Sequence, residues 1–189
     1  MNQKLISGTV RVVAFSAAML LLTMLVVTRS QAAFTATTSN PTSGFTAGKL
    51  QLSDDDSNGA MFNATKMVPG TAVVECITVT YSGDVTPSPV EIYGTSSGAL
   101  APYLDLKVEV GTGGSAASCS GFTASSTLYT GTLANFSSSY SNWSNGLAAM
   151  NATTTPFTRT FQFTATVQDT DAAQSLNATA GFTWETRSS

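Results

Sequence analysis

Apolar and polar residues alternate with a period of two in four long runs, the pattern of β-strands that cover one face and leave the other in water. In the first, Ile77, Val79 and Tyr81 fall on one side and Thr78 and Thr80 on the other. In the second, Leu104, Leu106, Val108 and Val110 oppose Asp105, Lys107 and Glu109. Phe161, Phe163, Ala165 and Val167 oppose Thr160, Gln162, Thr164 and Thr166 in the third. In the last, Ala178, Ala180, Phe182 and Trp184 alternate with Thr179, Gly181, Thr183 and Glu185. Weaker runs at 34–38, 45–52, 60–67, 90–93 and 126–133 bring the set to about nine short strands.

Turn residues separate these runs. Pro69-Gly70 precedes the first strand and Ser82-Gly83-Asp84 ends it, while Gly111-Thr112-Gly113-Gly114 closes the second. Residues 134–150 show no clear period and read as a loop with one helical turn near 138–143. Two sheets, each with one apolar face, satisfy this pattern. The expected fold is therefore all-β, a jelly-roll-like antiparallel β-sandwich over residues 45–189, with no internal repeat and no second domain.

The start of the chain reads differently. Lys4 and Arg11 flank an apolar run from Val12 to Val27, broken only by Ser16 and Thr23, and Ser30 and Ala32 supply small residues at its exit. These are the three parts of a secretory signal, so residues 1–32 are expected to be a signal peptide cut after Ala32. The competing outcome is an uncleaved anchor, for which sixteen residues fall short of the run of about 20 that spans a bilayer. A type IV pilin leader is excluded, because the apolar run contains no acid.

Removing residues 1–32 leaves five basic residues against eleven acidic ones, a net charge of −6. That sign argues against nucleic acid and anionic membrane surfaces as partners. Cys76 and Cys119, both beyond the signal, are expected to form a disulfide in an oxidising compartment. The chain has no histidine, which removes Ser-His-Asp triads, Cys-His pairs and the HExxH zinc signature together. Glu75, Glu91, Asp105 and Glu109 lie on the polar sides of strands, where solvated charge is the ordinary state. The expectation is a protein that is not an enzyme and needs no cofactor.

One local constellation could hold a metal. Asp54, Asp56, Asn58 and Gly59 match the first half of a calcium loop, with oxygens at alternate positions and a glycine for the turn. The closing Glu of such a loop would fall at Thr65, so the second half is missing. An acidic hairpin turn is the alternative, since Asp, Asn, Ser and Gly all favour turns.

Several segments together resemble the TasA/camelysin family. They are Ala32-Ala33-Phe34-Thr35-Ala36-Thr37 at the exit from the signal, Met67-Val68-Pro69-Gly70 followed by Cys76-Ile77-Thr78-Val79-Thr80-Tyr81-Ser82-Gly83, and Ala173-Gln174-Ser175-Leu176 leading to Phe182-Thr183-Trp184-Glu185. The resemblance spans most of the mature chain, and its signal lies in the order of the segments. It implies export through a SipW-type signal peptidase, a jelly-roll sandwich, and assembly into secreted biofilm-matrix fibres. In such fibres the new N-terminal strand completes a sheet of the neighbouring subunit. The family's metallo-endopeptidase label does not carry over to a chain without histidine.

The residues allow that assembly. Phe34, Ala36 and Thr38 alternate with Thr35 and Thr37 in a strand that opens at Ala33, and Asn40-Pro41-Thr42-Ser43-Gly44 follows as a joint. Residues 33–44 are thus expected to be a donor strand and its joint, making the chain its own partner in head-to-tail filaments. The same strand could instead stay in its own sheet. A different class of function, a monomeric adhesin or carbohydrate-binding module, would draw on Tyr129, Phe136, Tyr140 and Trp143 as an aromatic loop region.

Overall fold

In the computed structural model, the described residues are 48–188 apart from 58, 63, 65 and 86–88. They form eight strands: β1 (Leu52–Asp54), β2 (Ala72–Tyr81), β3 (Val90–Ser97), β4 (Leu104–Thr112), β5 (Thr123–Thr132), β6 (Leu147–Met150), β7 (Phe157–Val167) and β8 (Thr179–Glu185). One short helix, α1 (Leu133–Ser139), joins β5 toward β6. The strands make two antiparallel sheets, one of five in the order β1-β2-β7-β4-β5 and one of three in the order β6-β3-β8. This is the expected all-β sandwich, with the chain crossing repeatedly between sheets. The signal and donor-strand segments, residues 1–44, lie outside the described residues.

The strong period-2 runs become the strands that build the core. Strand β7 lies at the centre of the large sheet, paired with β2 from Ala72↔Thr166 to Tyr81↔Phe157 and with β4 from Leu104↔Val167 to Gly111↔Thr160. Its Phe161 and Phe163 point inward and are fully buried. Across the sandwich they meet β8, with ring centroids 5.3 Å apart for Phe161–Trp184 and 4.6 Å for Phe163–Phe182. Such aromatic pairs add about 0.5–1.5 kcal/mol each beyond the area they bury. On the opposite face of β2 and β7, threonine hydroxyls pair across strands, Thr78 with Thr160 at 3.2 Å and Thr80 with Thr158 at 3.0 Å.

Turns follow the expected residues. Thr71 N donates to Val68 O at 3.0 Å across Pro69-Gly70, with Gly70 at φ +76°, a conformation glycine takes without a side-chain clash. The β4–β5 connection carries Gly113 and Gly114 at φ +77° and +73°. A Cβ on Gly113 would stand 2.2 Å from Gly121 O, so that close approach also requires glycine.

Two expectations need correction. Residues 60–67 form no strand among those described, because Met61 and Phe62 both turn onto the core, Phe62 standing edge-on to Phe163 at 6.3 Å. Two consecutive side chains cannot enter one core from a regular strand. Residues 134–150 are not a plain loop either. Helix α1 starts at Leu133, where the Thr132 hydroxyl accepts from Asn135 N at 3.2 Å as its N-cap. Leu133 and Phe136, one turn apart, are its buried anchors. A 3-10 turn at Trp143–Asn145 and strand β6 complete the stretch.

Candidate functional site

Three strands cannot cover a face built from five, and the deficit falls beside β8. That strand pairs with β3 on one side and with no described strand on the other. The inward residues of β7 opposite are buried, whereas Phe182 and Trp184 of β8, and Ala178 just before it, are only half-buried and Ala180 is exposed. Between the sheets lies a groove of about 1170 Å³. Leu104, Leu106, Ala165 and Val167 form its floor, Phe182 and Trp184 one wall, and Met61, Phe62 and Met67 part of the other. Asp56 and Lys66 are the only charged side chains among its described lining residues. Trp184 brings the site one unusual group: its indole Nε1–H is buried and has no hydrogen-bond partner among the described residues.

The arrangement suits an extended chain. Among the described residues the far edge of β8 pairs with no strand, and the apolar floor beside it can take every second side chain of an added strand. Periodicity along the sequence identified Phe182 and Trp184 as an inward face, but gave no sign of the groove. The signal for it is the unequal division of strands between sheets.

The other expected site residues are placed as follows. Cys76 and Cys119 form a disulfide with Cα atoms 5.4 Å apart. Ile77 points into the core, so Cys76 faces outward from the large sheet, and the bond pins the 113–122 connection over that face. The same region is held by Asp55, which accepts from Thr78 N at 2.7 Å and from Ala116 N at 2.9 Å. The calcium pattern selected Asp54, Asp56 and Asn58 and passed over this middle residue.

Strand β1 runs on to Asp54, so the acidic stretch begins within a strand. The Asp54 carboxyl has a raised pKa, first from burial, then from its hydrogen bond with Asp56 and the negative charges of Asp56 and Asp55. Asn58 is outside the described residues. Among the described residues, no group of three or more His, Cys, Asp or Glu side chains is placed to hold a metal ion.

Several carboxylates on strands are engaged locally. Glu109 pairs with Lys107 at 2.8 Å, and Asp105 accepts from Gln168 Nε2 at 2.7 Å. Glu185 accepts from Tyr93 OH at 2.7 Å and from Arg187 Nε at 2.9 Å, and these two bonds hold its pKa below the usual carboxylate value. Glu91, directly opposite Glu185 in the β3–β8 pairing, is raised by burial.

Tyr129, Phe136 and Tyr140 pack against one another with centroids 5.0–6.0 Å apart, and Phe136 is fully buried. Trp143 is elsewhere, with the Arg187 guanidinium 5.0 Å from its ring. These aromatics therefore do not form one exposed platform. No helix among the described residues is long and apolar enough to cross a membrane. In comparisons with known proteins, no family model and no curated sequence matches the chain.

Proposed function

We propose that the chain is a secreted structural subunit of an extracellular biofilm-matrix fibre, in which each subunit lends its N-terminal strand to the next. The observation that carries this reading is the apolar groove beside the edge of β8 that pairs with no described strand. Residues 33–38 match it in kind: they carry no charge, and Phe34 and Ala36 share one face of the strand. A strand that leaves its own subunit to fill such a groove makes a heterologous contact, which propagates into open filaments. The resemblance to TasA/camelysin proteins points the same way, and the disulfide suits an oxidising exterior. The reading assigns no catalysis and no cofactor to the chain. Its partners are further copies of itself and, during export, a SipW-type signal peptidase.

Electron microscopy of the mature protein tests the proposal. Wild-type protein is expected to form filaments, and Phe34→Asp protein to stay soluble, because burying a carboxylate in the groove costs several kcal/mol. A peptide of residues 33–40 should cap growth without unfolding the subunit. Normal filaments from Phe34→Asp protein would sink the donor-strand mechanism, and a persistent wild-type monomer would sink the fibre reading itself.

A further inference from the structure

We infer that Glu91 and Glu185 form a proton-operated latch on β8: with both carboxyls ionised their repulsion loosens the end of the β3–β8 pairing, and one proton between them tightens it. The two residues are direct partners, the last pair of a ladder that starts at Ser97↔Thr179. Both point outward from the small sheet. Tyr93, which shares a face of β3 with Glu91 by the period of two, donates to Glu185 at 2.7 Å on that face. Like charges directly opposite each other on a sheet destabilise the pairing. Among the described residues nothing offsets the charge on Glu91. Glu185 has the Tyr93 hydroxyl and the Arg187 guanidinium, whereas Glu91 has neither an ion pair nor a hydrogen bond there. Of the other elements around it, β6, the Trp143–Asn145 turn and α1 carry no titratable side chain. Gly146 stands close enough that a Cβ there would lie 2.8 Å from Glu91 Cβ, so backbone crowds the residue without supplying a cation.

The two carboxyls are pushed apart in acidity. Burial raises the pKa of Glu91, while the Tyr93 hydrogen bond and then Arg187 lower that of Glu185. The Glu91 contribution to stability is therefore complete below its unfolded pKa and is lost as pH rises through the folded one. Glu185 has the opposite sign: its contribution is complete above the unfolded pKa and is lost as pH falls through the folded one. Both are present together only near the ordinary glutamate value of 4.5. There a protonated Glu91 can donate to the Glu185 carboxylate. Strand β8 pairs with β3 alone among the described strands, and it carries Phe182 and Trp184 into the groove wall. The latch thus makes that wall firmest in weak acid.

The test is hydrogen exchange on the mature chain at about pH 4.5 and about pH 7. Protection factors of the β8 amides are taken relative to those of β7, which removes changes in global stability, and melting curves check folding. Wild-type β8 is expected to be about 2- to 5-fold better protected in acid, the size of one opposed like-charge pair. Glu91→Gln should keep the acid level of protection at both pH values. Glu91→Lys, which sets a cation opposite Glu185, should reach that level at neutral pH. Equal relative protection of wild-type β8 at the two pH values, or a pH dependence that Glu91→Gln leaves intact, would overturn the latch. None of these measurements uses filaments, so the latch stands or falls separately from the fibre reading.

Discussion

The Asp55 carboxylate accepts the Thr78 amide at 2.7 Å, and that contact ends the pairing along the outer edge of β2. Strand β1 pairs only with Val79, Thr80 and Tyr81. At the next position a side chain replaces the strand, and its second oxygen reaches across to Ala116. Asp55→Ala removes both acceptors and should lower unfolding stability by about 1–3 kcal/mol. Asp55→Asn keeps one acceptor oxygen and should lose less. Denaturant titration of the two variants checks the order.

The disulfide closes a loop of 43 residues. In the chain-entropy account its removal in a Cys76→Ser, Cys119→Ser variant should cost roughly 4 kcal/mol. Non-reducing mass analysis of the purified protein is expected to find no free thiol. A melting temperature unchanged by the double substitution would contradict the loop-constraint account.

Asp54 gives a pH-dependent prediction. Its folded-state pKa is raised, so the folded protein holds this proton more tightly than the unfolded chain. The stabilising effect of the protonated form is complete below the unfolded pKa and is lost as pH rises through the folded one. Asp54→Asn should therefore stabilise the protein at neutral pH and have little effect in acid, below the ordinary carboxylate range. Thermal melts at several pH values check the sign. Calcium would act on the same group: a rise in melting temperature that Asp56→Ala abolishes supports a cation there. Identical curves with calcium and with chelator would leave an acidic turn.

Phe163 is fully buried between the sheets and meets Phe62, Phe182 and Trp184. Phe163→Ala should cost about 3–5 kcal/mol. Val74, 41% exposed on the other face of β2, should tolerate Thr within about 0.5 kcal/mol. Urea unfolding distinguishes the two classes of position.

Strands β2, β4, β7 and β8 were legible because one face is covered and the other wet, which imposes strict alternation. Strand β6 was not: Leu-Ala-Ala-Met is four apolar residues without a period. Helix α1 begins earlier than its composition suggests, because Thr132 caps it and the burial of Leu133 and Phe136 outweighs a run of serines with poor helix propensity. The disulfide followed from the count of cysteines. Asp55 escaped notice because its importance lies in two amides distant in sequence. The groove depends on five strands facing three, and periodicity states which way a side chain points without stating which sheet it joins.

The central position of β7 also sets the order in which the protein can be completed. A chain delivered N-terminus first exposes β2 and β4 long before the strand that joins them, because Phe157–Val167 is the seventh of the eight described strands. Until then β4 can pair with β5, but most of β2 has no neighbour beyond the three residues of β1. The large sheet can close only when nearly the whole polypeptide has emerged, so the chain stays incompletely paired for most of its synthesis. A product that stops before Phe157 would carry two unpaired edges into solution, a form more inclined to aggregate than to fold.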